Sequence, residues 1–368
     1  KKFLGKSRMK NKLKYLRKFW KGKKVFLTGH TGFKGTWFSI FLNLLGARVS
    51  GYSLKPNMAP SFYNLIKLNN NIYSSTIGDI RDYSKLKKSI SNFSPNFIIH
   101  MAAQPLVRES YLNPKYTYEV NTLGTVNILN ILKEINFVKS ALIITTDKVY
   151  LNDNKKEYFR ENDLLGGVDP YSNSKSCAEL IVDSYNYSFF KEKKIHVATA
   201  RAGNVIGGGD FSKDRIIPDY FRSLLKNEKL FLRSPNSIRP WQHVLDPLYG
   251  YLLLLMKLHK KEVISGSSFN FGPNKSSNKS VSNVITMINK NFDNSVKIIK
   301  TKTSPRNYKE SKVLMLNSDK SKKLLKWNSK YNLTQSINLT SSWFKHYNDK
   351  KNKNILKITQ DQIREYLN

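Results

Sequence analysis

A phenol and an ammonium stand four residues apart in Tyr171-Ser172-Asn173-Ser174-Lys175. On a helix that spacing puts both on one face and near each other in space. A tyrosine is a weak base at its ordinary pKa of ~10, but an adjacent cation stabilises the phenolate, and Tyr171 could then take a proton from a hydroxyl group. Alone, such a pair is as readily an ordinary surface pair. A second cluster, Thr145-Thr146-Asp147-Lys148-Val149-Tyr150, offers a hydroxyl for hydrogen bonding, a carboxyl able to give a proton and an amine able to accept one. Capping and solvation are the plainer roles for Asp147 and Lys148. Their occurrence in one chain with a nucleotide cradle makes those plainer roles poor.

The cradle is Thr28-Gly29-His30-Thr31-Gly32-Phe33-Lys34-Gly35. Its glycines suit a tight turn, a close approach of backbone to a pyrophosphate and close packing of helix on strand. The freed N–H groups and the helix dipole then bind the anion. Three glycines alone are weak evidence, but a strand before and a helix after supply the context. The second strand ends in Tyr52-Ser53-Leu54-Lys55, without the acid that usually contacts the ribose of NAD. Ser53 could bond the ribose and Lys55 could tolerate a phosphate, so these residues leave NAD and NADP both open. Asp79-Ile80-Arg81-Asp82 falls where adenine would be contacted, although Asp82 reads equally well as a helix N-cap.

These groups need elements to hold them. Val25–Thr28, Arg48–Ser53, Phe97–Ala102, Ala141–Thr146 and His196–Arg201 read as strands, while Thr36–Gly46, Tyr83–Phe93, Tyr116–Asn136 and Cys177–Phe190 carry apolar residues at helical spacing. The alternation predicts an α/β fold, a doubly wound parallel sheet of the Rossmann kind with helices on both faces. Strand carboxyl ends, where this sheet type holds its chemistry, then carry the cradle and Thr146. After Gly203 the rhythm breaks at Gly207-Gly208-Gly209, and short strands such as Leu230–Arg233 and Ser268–Phe271 follow. The expected division is a basic extension (1–23), a dinucleotide-binding domain (24–203), a smaller substrate-binding domain (204–347) and a tail (348–368). Part of 240–275 is expected to return to the first domain. Gly272–Ser282 reads as a turn leading into a helix cap.

Composition bounds the rest. The 368 residues, 40% of them hydrophobic, exceed one ordinary domain and can bury a sizeable core, which excludes a peptide and wholesale disorder. Sixty-three Lys+Arg against 26 Asp+Glu leave a net charge of +37, which favours anionic partners. Lys, Asn and Ile recur along the whole chain, however, so the excess equally reflects codon composition, and a nucleic-acid face should concentrate its charge. The one concentrated run, Lys1–Lys24, holds twelve Lys/Arg and no acid, and reads as a solvated helical arm or, less readily, a phosphate-seeking one. Cys177 is single, so no internal disulfide is possible. The longest apolar run, Tyr249–Met256, falls far short of the ~18 to 20 residues that span a bilayer, and a cytoplasmic protein is expected.

Taken together, Gly29/Gly32/Gly35, Tyr171 with Lys175, and Thr146 resemble the extended short-chain dehydrogenase/reductases that act on nucleotide sugars. Four longer strings narrow the resemblance: Thr28–Gly35, His100–Arg108, Arg201–Asp210 and Arg239–Asp246 are similar to the CDP-glucose 4,6-dehydratases, and the likeness runs from about Trp20 to Tyr347. The resemblance implies a lyase that consumes no external reductant. Tyr171, with Lys175 and Thr146, would deprotonate the sugar C4 hydroxyl while hydride passes to NAD; Asp147 would protonate the departing C6 hydroxyl, and the hydride would return to C6. Lys148 stands where related dehydratases carry a glutamate as the C5 base, so it is either a base that must lose its proton or an orienting group for the carboxylate.

NAD would be held by Gly29, Thr31, Gly32, Phe33, Lys34, Gly35, Ser53, Asp79, Ile80, Ala102, Ala103, Gln104, Asn121, Tyr171 and Lys175. The nucleotide sugar would meet Arg108, Asn204, Arg215, Arg239 and His243, the arginines gripping phosphate oxygens. Trp241 reads as core. No metal, nucleic acid or membrane insertion is expected, and the resemblance implies a homodimer or homotetramer and a place in deoxysugar synthesis for surface polysaccharide. The alternatives are a GDP-mannose or dTDP-glucose type of dehydratase, a 4-epimerase of the same fold, which has no need of an acid/base pair after Thr146, and a basic nucleic-acid-binding or regulatory Rossmann protein, which has no reason to keep Tyr171, Lys175, Thr146 and Asp147.

Overall fold

The computed structural model describes residues 12–57, 59–153, 158–300, 313–349 and 354–368. Seven parallel strands form the central sheet: β1 (Lys24–Thr28), β2 (Arg48–Ser53), β3 (Ser74–Ile77), β4 (Phe97–His100), β5 (Ser140–Ile144), β6 (His196–Ala202) and β7 (Ser268–Phe271). Their spatial order is β3-β2-β1-β4-β5-β6-β7. The chain direction across the sheet reverses between β1 and β4, where Leu27 pairs with Gly51 on one side and Ile99 on the other. This is the switch point of a Rossmann sheet, as expected from the alternating pattern.

Side-chain alternation assigns each strand residue to one of two cores. Val25, Leu27, Leu142 and Ile144 face one core; Phe26, Ala141 and Ile143 face the other. The first core is covered by α2 (Phe33–Leu44) and α6 (Leu245–His259), the second by α3 (Tyr83–Phe93), α4 (Gly124–Glu134) and α5 (Pro170–Tyr185). Preceding α2 is α1 (residues 12–20), and the chain ends in α7 (Leu333–Asn348) and α8 (Ile355–Leu367). Ser268–Phe271 joins the main sheet as its edge, parallel to β6. Leu230–Leu232 and Ile298–Lys300 pair away from that sheet, as do Ile238–Pro240 and Asn278–Ser280.

Several boundaries differ from the sequence reading for local reasons. β4 stops at His100 instead of Ala102 because Thr28 Oγ1 accepts the N–H groups of Met101 and Ala102, both at 3.1 Å, and turns the chain. β5 stops at Ile144, and Thr146 caps the single turn Asp147–Val149. The segment read as one helix over Tyr116–Asn136 is interrupted by a π-turn at Glu119–Leu123. α5 starts at Pro170, seven residues before the expected Cys177, because Asp169 caps it and proline suits a first turn.

The basic arm is not simply solvated. Residues 1–11 lie outside the described part, but Leu16 and Trp20 of α1 are fully buried in the first core. Lys14, Arg17 and Lys18 occupy the outer side of an amphipathic helix, while Lys12 lies over the Tyr249 ring. Among the described residues no helix is long and apolar enough to cross a membrane, and no group of three His, Cys, Asp or Glu could hold a metal ion.

Candidate active site

The carboxyl ends of β1, β2, β4 and β5 open into a cleft lined by Gly29, Thr31, Gly32, Phe33, Lys34, Gly35, Ser53, Asp79, Ile80, Ala102, Ala103, Tyr171, Lys175 and Arg215. Thirteen of these were expected at the dinucleotide; Arg215 was expected at the sugar nucleotide. The glycines leave a cradle that side chains would fill. A β-carbon at Gly35 would stand 2.1 Å from the Gly29 carbonyl oxygen, and one at Gly29 would stand 2.8 Å from the Ala102 nitrogen. Gly29 adopts φ +78°, open to glycine at no cost. Gly32 meets only the Gly29 carbonyl oxygen at 3.4 Å, so a side chain there is excluded by nothing in the protein itself. The N-terminus of α2 faces this gap without a side-chain cap, leaving its N–H groups for an anion. These residues fit a dinucleotide.

At the end of β2, Thr31 Oγ1 donates to the Leu54 carbonyl and lies 2.9 Å from Ser53 Oγ, so no acid marks this position. Asp79 is gripped by Arg81, with Nη2 2.8 Å from Oδ2, and this partner holds its carboxyl below the ordinary range. Asp82 caps α3 through the Lys85 N–H. Gln104 and Asn121 do not reach the cleft surface. Asn121 Oδ1 accepts the Gln104 N–H at 2.8 Å and its Nδ2 donates to Ser174 Oγ at 2.9 Å, so the π-turn ties the loop after β4 to α5. A disrupted helical spacing around Glu119 would have been the signal.

The chemistry-bearing side chains converge where α5 meets the end of β5. Tyr171 and Lys175 share one face of α5, as their spacing demanded. The Thr146 side chain hydrogen-bonds Tyr171 and donates to Asp147 Oδ1 at 3.1 Å. Lys175 Nζ donates to the Ile144 carbonyl at 3.1 Å. The expectation that Lys175 lowers the Tyr171 phenol is corrected: burial pushes it up to about 12, against the Thr146 hydrogen bond and the positive charge of Arg215. Burial brings the Lys175 ammonium down to about 8, with Lys34 adding to the fall and Glu179 opposing it.

Asp147 is buried, and burial raises its carboxyl above the ordinary range despite Lys148, the Thr146 hydrogen bond, Arg239 and Lys34. Among the described residues its Oδ2 has no hydrogen-bond partner. A carboxyl in that state can carry a proton to a neighbouring oxygen. Lys34 was expected only at the dinucleotide, yet its ammonium acts on Asp147 and Lys175, and burial with the Arg215 charge lowers it to about 8. It sits in the first turn of α2, within the glycine loop, and lines the cleft.

The residues expected at the nucleotide sugar contribute unequally. Arg215 enters the cleft and pairs with Asp210 at 3.3 Å. Arg239 is buried within electrostatic reach of Asp147. Arg108 pairs with Asp214 at 3.3 Å. Asn204 sits at the strand junction, where its carbonyl accepts the Gln242 N–H at 3.1 Å. His243 is not brought to the site: it is fully buried, edge-on to Trp37 and Tyr331, and burial lowers its imidazole to about 3. The alternating strand pattern there gave no warning that the ring turns inward. Trp241 is buried, and its Nε1 donates to the Lys279 carbonyl.

A family model described as GDP-mannose 4,6 dehydratase matches residues 26–340. A CDP-glucose 4,6-dehydratase of Salmonella typhimurium is 42% identical over 333 residues, 89% of this chain and 92% of that protein. Among solved structures, an epimerase of Methanothermobacter thermautotrophicus superposes with a TM-score of 0.78 at 21% identity, covering 96% of this chain and 97% of its own. A dTDP-glucose 4,6-dehydratase of Bacillus anthracis, solved in complex with NAD, gives 0.73 at 22% identity, covering 91% and 100%.

Proposed function

Because the chain belongs to the GDP-mannose 4,6 dehydratase family, within the extended short-chain dehydrogenase/reductases, we propose that it converts CDP-glucose to CDP-4-dehydro-6-deoxyglucose. The observation that carries the reading is the buried Asp147 beside Thr146 and Tyr171, whose carboxyl burial raises above the ordinary range. Oxidation at C4 followed by inversion needs no such acid; loss of a C6 hydroxide does.

In this reading Tyr171 takes the C4 hydroxyl proton, with Thr146 hydrogen-bonding the same phenol and Lys175 as the nearby cation. Held by the cleft residues, NAD would supply the acceptor for the C4 hydride and the donor that gives it back at C6. Once C4 is a ketone, the C5 hydrogen is acidic. Lys148 takes that proton as the C5–C6 double bond forms and returns it to C5 when hydride reaches C6. Asp147 delivers its proton to the departing C6 hydroxide, and Arg239, Lys34 and Lys148 then offset the charge left behind. Arg215, Arg239, Arg108 and Asn204 hold the nucleoside diphosphate, and the glycine loop, Ser53, Asp79, Ile80, Ala102 and Ala103 hold NAD. Gln104 and Asn121 support that wall from behind. His243 has no role in the reaction. The division at Gly203, a homodimeric or homotetrameric state, and a cytoplasmic place alongside soluble nucleotide sugars belong to the same proposal, supported by the family resemblance.

Incubation of the purified enzyme with CDP-glucose, dTDP-glucose, GDP-mannose and UDP-glucose tests it. Only CDP-glucose should give the alkaline absorbance of a 4-ketone, without added reductant. Inversion of UDP-glucose at C4, or no product from CDP-glucose, would overturn the assignment.

A further inference from the structure

Behind the cleft lies a buried ion pair that the reaction as described does not use. Glu179 follows Lys175 by one helical turn, as Lys175 follows Tyr171, so all three share a face of α5. That face meets three consecutive residues. Thr146 hydrogen-bonds Tyr171, the Ile144 carbonyl accepts from Lys175 at 3.1 Å, and Thr145 Oγ1 donates to Glu179 Oε1. From β6, Arg201 forks onto the same carboxylate, Nε to Oε1 at 2.9 Å and Nη2 to Oε2 at 3.0 Å, and Thr199 Oγ1 donates to Oε2 at 2.5 Å. Arg201 Nη1 continues to the Tyr150 hydroxyl at 2.9 Å, which donates to Asn270 Oδ1 on β7 at 2.7 Å. Glu179 is 1% exposed and Arg201 3%.

A buried ion pair is weak evidence for stability, because desolvation cancels much of the attraction. Its placement is the informative part. It locks the helix that carries the phenol and the ammonium to the strand end that carries Thr146 and Asp147. It also puts a carboxylate that acts on Lys175 a single turn behind it.

We propose that Glu179, held by Arg201, is a positioning residue of the dehydratase: it fixes Thr145, and through it Thr146 and Asp147, against α5, and it supplies the negative charge behind Lys175. The inference rests on the functional reading above. The groups facing Lys175 are Tyr171 and Glu179 from its own helix, Lys34 from α2, the Ile144 carbonyl from β5, and His100 from β4, whose imidazole burial and the Lys175 charge bring down to about 3. Glu179 alone among them favours the ammonium by charge.

The test compares pH profiles of kcat on CDP-glucose. Glu179→Gln should lower kcat roughly tenfold with KM nearly unchanged, as expected when a reacting group is misplaced, and should move the alkaline limb to lower pH. The pair Glu179→Gln with Arg201→Met leaves no unpaired buried charge, so it should melt near the wild-type temperature and still be slow. Thr145→Val keeps the ion pair, and should lower kcat without moving the limb, while Thr145→Ser restores the rate. An unmoved limb in Glu179→Gln, a wild-type rate in the double variant, or equal rates in Thr145→Val and Thr145→Ser would each overturn the role. If neither Glu179 variant folds, the Thr145 pair decides. Wild-type protein inactive in the same assay would instead sink the functional reading.

Discussion

Gly203 stands against Asp147: a β-carbon at Gly203 would lie 3.0 Å from Asp147 Oδ2 and 2.6 Å from Pro240 Cγ. The proline ring can give little, so Gly203→Ala should displace the carboxylate. A shift of about an ångström at a reacting group can cost roughly a hundredfold. We expect Gly203→Ala to lose kcat on that scale and to melt lower, because the 2.6 Å contact must be relieved, while retaining NAD. Asp147→Asn should pass hydride at C4 yet stall before loss of water, seen as a lasting 340 nm absorbance. Normal product from either variant would remove Asp147 from the acid role.

Two glycines of the loop should fail differently. Gly35→Ala drives a methyl into the Gly29 carbonyl at 2.1 Å, so it should lower both the melting temperature and the NAD content, at a cost of about 1–3 kcal/mol. Gly32→Ala meets only one atom at 3.4 Å, and its φ of −79° suits any residue. It should melt like the NAD-free wild type and still lose NAD, because only the bound pyrophosphate needs that space. Nucleotide released on denaturation, together with a melting curve, reads both. Full NAD retention in Gly32→Ala would place the pyrophosphate elsewhere.

Activity and stability should respond oppositely to mild alkali. Lys175 sits at about 8 against an ordinary 10.5, so its ammonium is lost as pH rises through about 8, and kcat should fall with it. Between those values the unfolded chain binds more protons at this site than the folded one, so its contribution to stability rises with pH. Lys12 and Lys34, also lowered to about 8, act in the same direction. Lys175→Arg, whose guanidinium does not titrate here, should keep a lower but flat kcat past pH 8. An unchanged limb in that variant would assign the titration to another group.

Much of this site is legible in the chain because its parts are local. Tyr171 and Lys175 are fixed by one helix, Gly29 to Gly35 by one turn, and Thr146 with Asp147 by one strand end. What spacing cannot convey is partnership across the sheet. Glu179 meets Arg201 only because β5 and β6 are neighbours, and Lys34 acts on Asp147 only because the start of α2 and the end of β5 open into one cleft. His243 was misplaced for the same reason, since its inward turn depends on Trp37 and Tyr331. The arm did carry a signal: Leu13, Leu16 and Trp20 share a helical face that its lysines obscure.

The chain ends form a clasp remote from the chemistry, and its strength should depend on pH. Asp246, at the start of α6, accepts from the Lys330 N–H at 2.7 Å, the Tyr366 hydroxyl of α8 at 2.9 Å and Ser329 Oγ at 3.1 Å, while Lys12 of α1 lies 4.0 Å above the Tyr249 ring. Burial raises the Asp246 carboxyl from 3.8 to about 6 in spite of those donors. A raised acid binds its proton more tightly in the folded state, so its contribution is complete in acid and is lost as pH rises through about 6. Above that pH the carboxylate is charged, and the Tyr366 hydroxyl becomes a charge-assisted donor worth about 1.5–3 kcal/mol, against about 1 kcal/mol to the neutral acid. Tyr366→Phe should therefore lower the melting temperature more at pH 8 than at pH 5. Its kcat should match the wild type, because none of these residues lines the cleft. Equal losses at both pH values would mean that Tyr366 contributes packing alone.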